Sequence, residues 1–202
     1  MEYRDIVVPF LGNQKISSYV ETFRRRYWDA SIPVDIEKII DVKLQINIIP
    51  IPNLGSFCDT DALLASSFKD IYVDNDKFLD ERYQNRLRFS FAHEIGHLVM
   101  HRELYDSFGI KGFEDYYQFI QQISAEKYVY IEAQANKFAN YLLIPRDKLQ
   151  QEKNKLLASK SLSLPPGKFD KNILNSYIAS PLAIIFGVST EPIEITLNQL
   201  ED

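Results

Sequence analysis

The feature that most constrains this chain is where its histidines fall. There are 3 in 202 residues, and all lie in His93-Glu94-Ile95-Gly96-His97-Leu98-Val99-Met100-His101. Residues 93–97 spell H-E-x-x-H. On an α-helix, positions i and i+4 share a face one turn apart, so two imidazoles can close on one ion. The glutamate after the first histidine then stands beside the ion without binding it, placed to take a proton from a bound water. Random placement of 3 histidines and 13 glutamates yields such a pentapeptide roughly three times in a thousand. His93 and His97 are therefore read as metal ligands and Glu94 as a general base. The competing reading is a histidine-bearing solvated helix face.

A catalytic ion of this kind needs a third protein ligand. His101 lies about 12 Å beyond His93 on a helix rising 1.5 Å per residue. Two nitrogens on one zinc are no more than about 4 Å apart. On an unbroken helix His101 cannot share an ion with His93, and it is expected as a cap, a support behind a ligand, or an exposed residue near the helix end. With one cysteine, Cys58, and no further histidine, the third ligand should be a carboxylate. Glu132 is the best candidate. On a helix over 125–143, Glu132, Ala135, Asn136 and Ala139 share one face. The alanines let that helix approach closely, and Asn136 is expected to hydrogen-bond a ligand or the motif backbone. Most helical glutamates are surface residues; a glutamate interrupting a stripe of small residues points inward instead.

The rest of the chain reads as an α+β arrangement. Helical spacing predicts helices over 15–28, from Pro33 through VDIEKII, over 81–103, and over 125–143 ending before Pro145. Residues 113–122 read as a further helix or an ordered loop. Period-two alternation predicts a strand over 44–48, with Leu44, Ile46 and Ile48 on one face. ALLASS and DIYVD read as two more strands, forming a hairpin. The domain reading is a core over 1–150, a connector over 151–171 and a helical segment over 172–202 that packs on the core. Three short helices are expected in that last segment, with a turn at 187–189.

Two stretches then match a known family together. RFSFAHEIGHLVMH (88–101), followed by the run from Glu132 through AQANKFANYLLI to Pro145, resembles the ImmA/IrrE metallopeptidases. Ile144 stands where that family usually has methionine. The resemblance implies a zincin-like α+β fold, with a small antiparallel sheet packed on helices and a helix-turn-helix-like C-terminal segment. It also implies a sheet edge able to hold an extended peptide as an added strand. Under it His93, His97 and Glu132 would ligate the metal and Glu94 would be the base. Asn136 and His101 are expected to support them on the helical spacing above, not on the resemblance. Zinc suits two histidines and a carboxylate best, with manganese or iron as alternatives. The implied activity is metal-dependent cleavage of a protein, with an XRE-type helix-turn-helix repressor as the expected substrate and partner. The alternative is a non-cleaving or toxin-like partner of such a regulator. The chain as read stops at 202, without the sensor domain of longer members, so built-in sensing is not expected.

Composition narrows the classes. A net charge of −5 argues against nucleic-acid binding by bulk electrostatics. After Lys171 no lysine or arginine follows, so the C-terminal segment is a poor DNA reader. No run approaches the ~20 apolar residues of a membrane span, and MEYRDIVVPFLGNQ does not read as a signal peptide. The expectation is a cytoplasmic protein with no membrane partner.

Overall fold

A computed structural model describes residues 6–109, 113–159 and 171–200. In chain order the elements begin with α1 (Asn13–Tyr27), α2 (Ile36–Lys38), a π-helical stretch (Ile39–Leu44), β1 (Asn47–Ile51) and α3 (Leu54–Cys58). Then come β2 (Ala62–Leu64), β3 (Asp70–Asp74), α4 (Asn75–Leu79), a 3-10 turn (Glu81–Tyr83) and α5 (Gln84–Met100). The remainder is helical: α6 (Arg102–Phe108), α7 (Phe113–Gln122), α8 (Ala125–Leu143), α9 (Arg146–Ala158), α10 (Lys171–Phe186) and α11 (Thr190–Gln199). The architecture is α+β, with a three-stranded sheet against helices and one continuous apolar core.

The strand order is β1-β3-β2. β2 and β3 form the expected antiparallel hairpin, with Leu63 opposite Tyr72. β1 instead joins β3 in parallel, Ile49 opposite Tyr72, so the sheet is mixed rather than wholly antiparallel. The chain reverses through α3 between β1 and β2, and the hairpin then returns β3 along the direction of β1. Strand β1 also sits later than the 44–48 alternation predicts. Leu44 closes the π-helical stretch, and Gln45, at φ 55°, turns the chain out of it. The helix expected from Pro33 begins at Ile36 instead, because the Asp35 carboxylate accepts from the Lys38 amide at 3.0 Å and caps it there.

Helices α5 and α8 form the centre. Leu87, Phe91, Ala92 and Ile95 are the buried stripe of α5, and Ile131, Ala135, Phe138, Ala139 and Leu142 that of α8. A Cβ at Gly96 would sit 3.2 Å from Ala135 Cα and 3.2 Å from Phe138 Cβ, so the glycine and the alanines let the two helices meet at backbone distance. Helix α1 packs on α8, and Arg24 of α1 donates to the carbonyls of Tyr141 and Leu142 at the α8 C-terminus.

The helix expected over 81–103 ends at Met100. His101, at φ −117° and ψ 15°, separates α5 from α6. Residues 151–158, expected in the connector, are the second half of α9, where Leu149 and Lys153 give the helix a buried side. The remaining connector residues 160–170 lie outside the described residues.

The C-terminal segment forms two helices rather than three. α10 accommodates Pro181 internally, and the chain bends by 116° at Gly187, which has φ 61°. A side chain at Gly187 would also collide with the Arg88 guanidinium of α5. Thr196 of α11 shares its hydroxyl proton between Asn140 Oδ1 of α8 (3.0 Å) and the Pro192 carbonyl (2.8 Å). Asn140 Nδ2 in turn donates to that Pro192 carbonyl at 3.3 Å. Both side chains are buried. Thr196→Val leaves Asn140 Oδ1 unpaired inside the protein, and should lower stability by about 1–3 kcal/mol in chemical denaturation without changing the fold seen by circular dichroism.

Candidate metal centre

His93, Glu94 and His97 project from the middle of α5, just past its apolar stripe, and offer ligand atoms that all lie within 4.8 Å of one another. The Nε2 atoms of His93 and His97 are 2.9 Å apart. From α8, Glu132 brings one carboxylate oxygen to 3.0 Å from His93 Nε2 and the other to 3.5 Å from His97 Nε2. Four donors on a tetrahedral zinc at bonds of about 2.0–2.1 Å stand roughly 3.4 Å from one another. Two neutral imidazoles and a carboxylate at this spacing fit a divalent cation.

The surroundings fix each group. Asn136 Oδ1 lies 2.9 Å from His93 Nδ1, so His93 donates there and its Nε2 is turned to the cluster. His97 Nδ1 is 3.0 Å from His101 Nδ1, and His101 Nε2 is 2.8 Å from Gln134 Oε1. His101 is 1% exposed, so it is neither a surface cap nor solvated. Glu94 accepts the Leu64 amide at 2.7 Å. The pairing of β2 explains that donor. The Asp61 carbonyl and Ala65 amide bond to β3, so the amides of Ala62 and Leu64 point off the free edge.

Electrostatics follow from burial and from two carboxylates in one cluster. Burial works against an imidazolium at His93, but the hydrogen bond and charge of Glu132 outweigh it and raise its pKa to about 9. Burial pushes Glu94 up to about 7, with Glu132 adding to the rise and the His93 charge and the Leu64 amide opposing it. His97 is held well below its ordinary value by burial and by the neighbouring charges of His93 and His101. Burial likewise lowers His101. Tyr128, one turn before Glu132 and hydroxyl to hydroxyl with Tyr116 at 3.3 Å, is raised to about 12 by burial and by the Glu132 charge.

All six residues singled out from the sequence, His93, Glu94, His97, Glu132, Asn136 and His101, fall in this one cluster. Two participants had no signal there. Gln134 sits about 200° round α8 from Glu132, so helical spacing gives no reason to group them. The Leu64 amide is a backbone group on a short apolar strand. A groove of about 630 Å³ opens beside the cluster between α5, α8 and α11, with Phe89, Ser90, Asn136, Lys137 and Ile195 among its walls. A larger cavity, about 760 Å³, lies between α1 and the α8–α9 junction, and no cluster residue lines it.

The profile of the IrrE N-terminal-like domain, peptidase M78, matches residues 78–198. Among solved structures the fold is similar to a Mycobacterium tuberculosis transcriptional regulator, with a TM-score of 0.53 at 16% identity. That likeness covers 89% of this chain and 45% of the other, so this chain spans less than half of that protein's length. No curated protein sequence matches the chain. Among the described residues no single helix is long and apolar enough to cross a membrane.

The tight contact at Gly96 gives a direct test of how the donors are held. Gly96→Ala forces α5 and α8 apart by a few tenths of an ångström. It should cost about 1–3 kcal/mol in thermal or chemical unfolding, and should weaken divalent-cation binding in a chelator competition.

Proposed function

We propose, for a chain that belongs to the IrrE N-terminal-like family of M78 peptidases, that it is a zinc-dependent endopeptidase acting on a helix-turn-helix repressor. The observation that carries this reading is the meeting of His93 Nε2, His97 Nε2 and the Glu132 carboxylate at 2.9–3.5 Å, with Glu94 beside them. His93, His97 and Glu132 hold the cation. When bound, it supplies Lewis acidity toward a peptide carbonyl and lowers the pKa of a bound water.

The chain's own groups do the rest. Glu94 takes the proton of the attacking water and passes it to the leaving amine. Its burial raises its affinity for that proton, and the Leu64 amide at 2.7 Å keeps the carboxylate aimed. Tyr128, raised to about 12 by burial and the Glu132 charge, keeps its phenolic proton at neutral pH. The groove between α5, α8 and α11 takes the substrate's side chains on one side of the cut.

The test uses the purified full chain, an XRE-type repressor and mass spectrometry of the products. Cleavage should require about one equivalent of metal and should stop with chelator. Glu94→Gln should retain the metal while losing about 10²–10⁴-fold in rate. Binding of the repressor without any cleavage, at full metal occupancy, would overturn the peptidase reading in favour of a binding module.

A further inference from the structure

We propose that Gln134 is a positioning residue: acting through His101, it sets the tautomer in which His97 turns a bare Nε2 toward the cation site. The inference rests on His97 being a ligand, as above, but its logic comes from a buried chain of hydrogen bonds whose direction is forced from one end.

That end is the carbonyl of Pro9, in the segment before α1. Gln134 Nε2 lies 3.1 Å from it. A carbonyl oxygen only accepts, so the amide nitrogen must face Pro9 and the amide oxygen must face the other way. It faces His101 Nε2 at 2.8 Å. An amide oxygen also only accepts, so His101 carries its proton on Nε2 and leaves Nδ1 bare. His101 Nδ1 is 3.0 Å from His97 Nδ1, so the hydrogen between them belongs to His97. A neutral His97 protonated at Nδ1 has its lone pair on Nε2. Nε2 is the atom 2.9 Å from His93 Nε2 and 3.5 Å from Glu132.

Reversing any link sets two acceptors or two donors face to face. Water is kept from correcting the mismatch, because His97, His101 and Gln134 are 2%, 1% and 3% exposed. The reversed chain would also put an N–H on the Nε2 that must accept a cation. His93 needs no such relay, because Asn136 Oδ1 takes its Nδ1 proton directly at 2.9 Å. The two histidines of one motif are thus set by different devices: an amide on α8 in contact with His93, and an amide one imidazole removed from His97.

The experiment is performed on metal-free full-length protein labelled with ¹⁵N in its imidazoles. Long-range ¹H–¹⁵N spectra should show His101 protonated at Nε2 and His97 protonated at Nδ1. Gln134→Met keeps the volume and removes the acceptor. It should mix the two tautomers of both rings and weaken zinc affinity by about 10–100-fold. Gln134→Leu serves the same purpose should the methionine variant not fold. Thr196→Val, in α11 and packed against a different surface of α8, should change neither spectrum nor affinity, which separates positioning from general loss of stability. His97 protonated at Nε2 in the unmodified protein would overturn the proposal. So would unchanged tautomers in both Gln134 variants. A protein that binds no zinc at all would instead count against the metal-site reading, while the metal-free spectra would still decide the polarity of the chain.

Discussion

The structure depends on how closely α5 and α8 can approach. The donors lie on both helices, and ordinary helix pairs keep their axes about 8–10 Å apart. Gly96 and Ala135 remove the side chains that would hold the axes at the far end of that range. Gly96 immediately precedes His97, and Ala135 lies one helical turn from Glu132. The separation of imidazole and carboxylate is therefore inherited from backbone contact rather than from reach. A long side chain crossing a wider gap would have to lose rotamer freedom on ordering, whereas here the scaffold has already fixed the donors.

Much of this was legible in the sequence, and for a definite reason. The spacing of His93 and His97, the small-residue face carrying Glu132, and the stop before Pro145 are all local periodicities of a helix, and α8 falls on the expected 125–143. What the sequence concealed depends on three dimensions. The parallel pairing of β1 with β3 is set by the reversal through α3, which leaves no mark on period-two alternation. The break at His101 follows from backbone angles at a residue whose neighbours still look helical. Gln134 was invisible as a participant because its partners are a histidine beyond the end of α5 and a carbonyl near the N-terminus. Neither lies on the wheel position that groups Glu132 with Asn136.

The electrostatics explain why a cation belongs in this cluster. Two carboxylates, Glu94 and Glu132, converge on two imidazoles in a buried space, and such charge is costly without compensation. In the metal-free chain a proton on His93 supplies part of it, drawn there chiefly by Glu132 against the effect of burial. Binding a divalent ion exchanges that proton for two positive charges at the same place. The Leu64 amide contributes in a different way. As a backbone donor on a strand already fixed by β3, it orients Glu94 without adding charge, so the carboxylate is aimed while its affinity for a proton stays high.

The hydrogen bond from Gln134 to Pro9 has one further consequence. It ties the segment before α1 to His97 through His101, across most of the chain's length. Coupling of this kind is reciprocal. Whatever free energy a docked N-terminal segment contributes to cation binding, a bound cation must return to the docking of that segment. The same segment stacks Phe10 on Tyr130 of α8 with ring centroids 6.2 Å apart, while its Val7 and Phe10 side chains are 82% exposed. The first described stretch of the chain is therefore bonded to the cluster through its backbone while two of its side chains face outward.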